Sequence, residues 1–471
     1  MAKKDGKFIY FIGMGGCGMS GIARIAADQG NLVAGSDMRD GKYLEQLRQC
    51  GVKVFIGHDA KNLHDVEQGK IPDLVVVSTA IMDFNVEFVE AKKLGIPIWH
   101  RAEMLACLGK DLKTLAVTGT HGKTTVSSML AHTLTKMGEE PTFLVGGNIS
   151  GFSTNAASGK GEYYVVEADE SDKSFNKLDP YSAIITNIEV DHLDHYENLE
   201  DIYSEFEKFI GLINKQGKFV CCAEDAKLMK LAHKIRPDVL SYGFSEDADY
   251  QVKDYKFKRF GCKIKLALAG EKEIEFKVDH CMGKHNVLNS ASVMALIHAL
   301  GLDVDKACKA IKDFAGAERR FDYVGDVNGI TVVDDYAHHP TEIAATIAAA
   351  KELGYKRVHV CFQPHRYSRA PLFTEVLHDE FGDAFKQADL VTFMDVYSAG
   401  EMPLPGVTGQ IFLDVVKDRG HKETSYVPRR YYVPYHLAEV SRPGDLVITM
   451  GAGDVTVIGP LLIEELNRKY G

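Results

Sequence analysis

The chain has 471 residues, 45% hydrophobic and 26% charged, which are ordinary values for a folded globular protein of about two to four domains. Its 55 Lys and Arg against 66 Asp and Glu give a formal net charge of −11, so it lacks the broad basic footprint of a nucleic-acid binder. No apolar run approaches the ~20 residues that span a bilayer, so no membrane insertion is expected, and the nine scattered cysteines, odd in number and without a C-x-x-C pair, suit reduced thiols in a cytoplasmic protein.

Along the chain, Phe8–Ile12, Leu32–Ala34, Val52–Phe55 and Leu74–Ser78 read as buried strands. The stretches between them carry helical spacing, as in Met19, Ile22, Ala23 and Ile25–Ala27, and this alternation predicts a parallel sheet. After the first strand, Gly13-Met14-Gly15-Gly16-Cys17-Gly18 satisfies G-x-G-x-x-G at a helix start. Asp37 falls just past the next predicted strand, near where a ribose-binding acid is expected. The pattern suits a diphosphate at a helix N-terminus, with NAD the obvious ligand, or equally a glycine turn that lets helix and strand pack closely.

A domain boundary is predicted near residue 110, before the strand Thr114–Val117. Thr118-Gly119-Thr120-His121-Gly122-Lys123-Thr124-Thr125 then leads into the amphipathic run Val126–Leu134. The glycine spacing is shorter than in the usual phosphate loop, but the physics is the same. Small residues let backbone N–H groups face phosphate oxygens, Lys123 suits the β- and γ-phosphates, and the Thr124 hydroxyl suits Mg²⁺. A triphosphate loop beside a diphosphate loop suggests ATP acting on a nucleotide-linked substrate.

Tyr163–Val166 and Ala183–Thr186 are predicted strands ending in Glu167-Ala168-Asp169-Glu170-Ser171-Asp172 and in Asn187-Ile188-Glu189-Val190-Asp191-His192. Ligands in parallel α/β sheets sit beyond the carboxyl ends of strands, so both clusters face the phosphate loop, and Glu167 with His192 would bridge a metal to the γ-phosphate. Helix caps and solvated turns are the competing reading for any single acid here. Tyr255–Phe260, Lys263–Leu268 and Glu273–Val278 alternate as antiparallel strands do, and His285–Leu300 has helical spacing that puts His285 and Asn289 on one face.

A second boundary is predicted around Ala317–Phe321. The strands Ile330–Val333, Val358–Phe362, Leu390–Met394 and Leu446–Met450 follow, with helices such as Glu342–Leu353 between them. Asp334-Asp335-Tyr336-Ala337-His338-His339-Pro340 and Gln363-Pro364-His365-Arg366-Tyr367-Ser368-Arg369 end two of these strands, which are expected to be adjacent and to form a cationic mouth for a carboxylate. Pro340 and Glu342 also read as an ordinary helix start. The predicted fold is α/β in three consecutive domains, residues 1–110, 111–317 and 318–471. They are a Rossmann-like domain, a P-loop ATPase-type domain with a mixed sheet, and a second Rossmann-like domain. The residues alone leave open an NAD-binding sensor or oxidoreductase, and an ATPase whose first domain binds a partner.

Taken together and in this order, G-T-H-G-K-T-T, E-A-D-E-S-D, N-I-E-V-D-H-L-D-H-Y, G-K-H-N-V-L-N and D-D-Y-A-H-H-P-T-E resemble the Mur ligase family over essentially the whole chain. F-Q-P-H-R-Y-S-R, with D-H-L-D-H-Y, resembles the branch that adds the first amino acid. The resemblance implies an ATP- and Mg²⁺-dependent cytoplasmic ligase, monomer or homodimer. It would join L-alanine to the lactyl carboxylate of UDP-N-acetylmuramate through an acyl phosphate, in peptidoglycan precursor synthesis. It implies a UDP-sugar site at Gly13, Gly15, Gly16 and Gly18 with Asp37 near the uridine end, displacing NAD. It implies an ATP site at Gly119, Thr120, His121, Gly122, Lys123, Thr124 and Thr125, with His285 and Asn289 on the adenine. Thr124, Glu167 and His192 would hold the metal. Tyr336, His338, Arg366 and Arg369 would bind alanine, with His338 or His365 accepting the amine proton, and Lys123, His365, Arg366 and Arg369 serving the transition state.

Overall fold

The computed structural model describes residues 6–66, 70–152, 154–191, 195–258 and 261–471. Three sheets follow one another along the chain. The first has the spatial order Lys53–Ile56, Leu32–Asp37, Phe8–Ile12, Leu74–Val77, Ile98–His100, all parallel. Phe8–Ile12 is buried at every position because it lies mid-sheet with both faces covered. Ile9 and Phe11 enter one core, and Phe8, Tyr10 and Ile12 enter another. That is why it reads as an unbroken apolar run rather than an alternating one. The chain reverses direction across the sheet beside this strand, which opens a crevice at the strands' carboxyl ends.

The second sheet has ten strands. In spatial order they are Glu273–Val278, Gly261–Ala267, Tyr250–Lys258, Leu240–Gly243, Phe219–Cys222, Ser182–Ile185, Lys113–Thr118, Tyr163–Glu167, Thr142–Ile149 and Thr154–Ala157. Lys113–Thr118 sits between Ser182–Ile185 and Tyr163–Glu167, parallel to both, so the two acid-bearing strand ends flank the phosphate loop as expected. The last pair, Thr142–Ile149 and Thr154–Ala157, is antiparallel, which makes the sheet mixed. The predicted strand Tyr255–Phe260 lies within Tyr250–Lys258, and its residues 259 and 260 lie outside the described residues.

The third sheet has the order Asp322–Val327, Ile330–Asp335, Asp445–Met450, Arg357–Phe362, Leu390–Phe393, Thr424–Tyr426. Asp322–Val327 is an antiparallel edge and the rest run parallel. This corrects one expectation. The strands ending at Asp335 and Phe362 are not neighbours, because Asp445–Met450 pairs with both and separates them.

Packing divides the chain into two compact units: Met1–Asp254 with Ile264–Val278 and Leu288–Ala317, and Tyr255–Lys263 with Asp279–Val287 and Glu318–Gly471. The first two sheets share the first unit because one core runs through both: Ile22 and Ala23 belong to the same apolar cluster as Leu144, Ala156, Val166 and Phe206. The third sheet has its own core around Val332, Val447, Leu437 and Leu462. Among the described residues no helix is long and apolar enough to cross a membrane.

Candidate functional site

In the first unit the phosphate loop runs from Thr118 into the helix Lys123–Met137. Gly119 (φ +129) and Gly122 (φ +86) adopt the left-handed conformations that side-chain-bearing residues avoid. A Cβ on Gly119 would sit 2.2 Å from Thr186 Oγ1, and one on Gly122 would sit 2.9 Å from Asn289 Oδ1. The loop is therefore moulded against the next strand end. Thr120 N donates to Asn187 O at 3.0 Å and His121 N to Asn187 Oδ1 at 2.9 Å, while Thr186 Oγ1 donates to His121 O at 2.6 Å. Gly119→Ala combines a strained backbone with a steric overlap, so it is expected to lower unfolding free energy by about 2 kcal/mol. Urea denaturation reads this directly, and an unchanged midpoint would contradict the loop's moulding.

Lys123 opens the helix and turns its amine back over the loop. Nζ donates to Gly119 O at 2.7 Å, to Thr120 O at 3.1 Å and to Glu170 Oε1 at 2.8 Å. Burial pulls the ammonium's pKa down, but Glu170 and Asp169 more than offset this and raise it, so Lys123 stays charged. Glu170 is 2% exposed, and burial pushes its pKa up to about 7 even against the neighbouring ammonium. Asp169 stays low, because Lys123 and Arg101 overcome the effect of burial.

Glu167 accepts from Thr124 Oγ1 at 3.0 Å, Ser127 Oγ at 3.3 Å and Gly146 N at 2.7 Å. Burial raises its pKa. The Thr124 hydroxyl and the Glu167 carboxylate are hard oxygen donors in contact on one side of the phosphate loop, a donor set that fits Mg²⁺. His192, the other expected ligand, lies outside the described residues. Thr125 lies in the first turn of the helix.

The glycine loop builds the other half of this site. Gly13 N and Met14 N both donate to Ser36 O, at 2.9 and 3.0 Å, and Gly16 caps the helix Cys17–Asp28. Asp37 departs from its expected place. It closes the strand Leu32–Asp37 instead of following it, and its Oδ2 accepts from Gly15 N at 2.8 Å. The acid braces the loop because Gly15 has no side chain to hold the carboxylate off: a Cβ there would meet Asp37 Oδ2 at 2.8 Å. Asp37 still lines, with Gly13, Gly16, Gly18, His58 and the segment Ser78–Met82, a cavity of about 630 Å³ at the carboxyl ends of the first sheet. A second cavity of about 240 Å³ runs from Cys17 and Gly18 to Gly146, Glu167 and Asp169. Gly18 and Arg101 line both.

Asn289 packs beside Gly122 in the first unit, whereas His285, on the same helix Gly283–Ala299, belongs with the second. Burial, and then Arg320, lowers the His285 pKa to about 4, leaving a neutral ring.

In the second unit a separate cluster forms. Tyr336 meets His338 edge-on at 5.6 Å, His338 lies 6.3 Å from His365, and His365 stacks on Tyr397 at 5.7 Å. Arg319 and Arg320 lie over the Tyr336 ring at 5.0 and 5.3 Å. Burial, Arg369 and Arg366 together lower the His365 pKa to about 4. Arg366 sits at φ 68, ψ 133, a conformation costly for any residue with a side chain, and such strain collects at functional sites. Its N–H donates to Tyr397 O at 2.8 Å and its Nε to Glu401 Oε1 at 2.5 Å. Ser368 N and Oγ also donate to Glu401. Burial would raise that carboxyl, but these bonds hold it down at about 2. Arg369 is 9% exposed.

The sequence reading missed Arg101, Glu401, Tyr397 and the segment Ser78–Met82. Glu170 was noticed as part of an acid run without a role. The short polar burst His100-Arg101-Ala102-Glu103 after the strand Ile98–His100 was the available signal for Arg101.

Three family profiles match the chain in order: Mur ligase family, catalytic domain, over residues 8–112; Mur ligase middle domain over residues 117–297; and Mur ligase, glutamate ligase domain over residues 319–453. A UDP-N-acetylmuramate–L-alanine ligase of Desulforamulus reducens is 42% identical over 468 residues, 99% of each chain. The crystal structure of the UDP-N-acetylmuramate-alanine ligase of Thermotoga maritima superposes with a TM-score of 0.80 at 32% identity, covering 98% of this chain and 100% of that one. A murein peptide ligase of Psychrobacter arcticus follows with a TM-score of 0.70 at 26% identity, covering 98% and 99%.

Proposed function

This chain belongs to the Mur ligase family, and we propose that it joins L-alanine to the lactyl carboxylate of UDP-N-acetylmuramate, with ATP as phosphoryl donor, in peptidoglycan precursor synthesis. The observation that carries this reading is the 240 Å³ cavity, which leads from the glycine loop to Glu167 beside the Lys123 loop. A sugar nucleotide anchored by its diphosphate at Gly13–Gly18 can extend its acid arm through this cavity toward a triphosphate's terminal phosphoryl. Residues 1–110 then serve the UDP-sugar, 111–317 the ATP and 318–471 the amino acid. The nine cysteines, free of disulfides, suit a cytoplasmic enzyme.

Each group has a task in the reaction. A carboxylate cannot expel oxide, so it must first be phosphorylated. Lys123 leaves Glu170 for the γ-phosphate and offsets the charge that spreads over the transferring phosphoryl group. Glu170, with its raised pKa, can take up a proton when the lysine departs, so no unpaired charge is stranded. Mg²⁺ would be held by Thr124 and Glu167, with His192 as third ligand, and would supply charge neutralisation at the β- and γ-phosphates. Arg366 and Arg369 hold alanine's carboxylate, and His338 or His365 takes the amine proton as nitrogen attacks the acyl carbon.

His365 suits that last role because its lowered pKa keeps it neutral throughout the physiological range. The lower pH limb due to the enzyme's base, read from kcat at saturating alanine, is therefore expected to fall toward about 4. A limb centred near a histidine's ordinary value of about 6.5 that persists in His365→Gln would contradict this assignment.

The decisive experiment follows ADP release with UDP-N-acetylmuramate, with and without L-alanine, and identifies the product by mass. A carboxylate labelled with oxygen-18 should deliver one labelled atom to inorganic phosphate. Turnover with a peptide in place of alanine would reassign the chain to a peptide-adding sibling, and ADP release indifferent to the sugar nucleotide would overturn the ligase reading.

A further inference from the structure

Arg101 is the only Lys or Arg among the described residues lining either cavity, and it lines both. It opens the helix Arg101–Leu108 at the carboxyl end of the first sheet's last strand, Ile98–His100. One arm of its guanidinium is anchored in the second sheet's acid cluster: NH2 donates to Asp172 Oδ2 at 3.1 Å and lies 3.6 Å from Asp169 Oδ2. Asp172 is itself fixed, since its Oδ1 accepts from Ser174 N at 3.0 Å. The other arm faces the glycine loop, where NH1 lies 3.4 Å from the place a Cβ on Gly18 would take. The fork thus has one tine tied down and the other presented at the loop that opens the helix Cys17–Asp28.

An anion seated on that loop meets backbone N–H groups on one side and this guanidinium on the other. Planar, permanently charged guanidinium is well matched to phosphate oxygens, and its rigid fork holds donors in fixed directions toward two anions where an ammonium on a flexible stem does not. We infer that Arg101 is a binding residue for the diphosphate of the nucleotide substrate, and that Asp172 is a positioning residue which aims it. This rests on the sugar-nucleotide reading of the first domain and adds to it the group that distinguishes a nucleoside diphosphate from a nucleoside. It also ties occupancy of the glycine loop to Asp169, which neighbours both Arg101 and Lys123.

The test compares binding of UDP and of uridine, by calorimetry, to the parent chain and to Arg101→Ala, Arg101→Lys and Asp172→Asn, with the unfolding midpoint of each recorded. The parent is expected to prefer UDP. Arg101→Ala should weaken UDP by about 10- to 100-fold while leaving uridine unchanged, the scale of a lost charge-assisted bond. Arg101→Lys should fall between the two, and Asp172→Asn should lose severalfold for UDP alone. Arg101→Lys keeps the test valid if the alanine variant folds poorly. UDP preference undiminished in both Arg101 variants overturns the inference alone. Equal loss for UDP and uridine also overturns it, by showing a structural role. A parent that binds UDP and uridine alike overturns the diphosphate reading of the loop and this inference with it.

Discussion

Lys123→Ala is expected to abolish acyl phosphate formation, cutting ATP-dependent turnover by at least about three orders of magnitude, the scale on which phosphoryl transfer depends on preorganised charge. The reasoning is local. Nζ is held by two carbonyls of the phosphate loop and by Glu170, so the ammonium is already confined where phosphate oxygens would arrive. The fold should survive the change. Removing the lysine strips a buried carboxylate of its partner, which usually costs several kcal/mol, but Glu170 is poised near neutrality and can protonate. A near-parent unfolding midpoint should therefore accompany the lost activity. The check is a hydroxylamine trap for the acyl phosphate. Trapping at the parent rate would remove Lys123 from the phosphoryl step.

Legibility from sequence tracked the range of the interactions involved. Phe8–Ile12 and Lys113–Thr118 were plain because a central parallel strand must be apolar on both faces, and that constraint is written into consecutive residues. The phosphate loop was plain because Gly119, Gly122, Lys123 and Thr124 all act within one turn of chain. Thr154–Ala157 was not, since Thr-Asn-Ala-Ala carries little strand character and forms a strand only by pairing with Thr142–Ile149. Arg101 lies 71 residues from Asp172, and no local pattern announces a bond across that gap. The strand Leu446–Met450 was legible, but its place between Ile330–Asp335 and Arg357–Phe362 was not: spatial order depends on where the last crossover returns, and the strand's own residues do not encode it. Asp37 carries a contact its spacing did not announce: its carboxylate accepts from the amide of Gly15 while still lining the cavity.

Arg369→Ala is expected to separate the two half-reactions. Acyl phosphate should form at close to the parent rate, while the concentration of alanine needed for half-maximal coupling should rise by about 100- to 1,000-fold, the scale of losing a charge-assisted carboxylate contact in a buried site. The two arginines are not equivalent in this respect. Arg366 Nε is committed to Glu401, which also gathers both donors of Ser368, so Arg366 builds the turn as well as adding charge. Arg369 sits one short helical turn on, buried, and its charge depresses the basicity of His365. A second readout follows from that coupling. With the guanidinium gone, protonation of His365 is opposed less, so its pKa must rise from about 4 and the lower limb of the pH profile must move toward neutrality. Raised alanine requirement and shifted limb belong together if Arg369 stands beside the proton acceptor in the alanine site. Loss of acyl phosphate formation in equal measure, or a limb that stays in place, would contradict the role assigned to it.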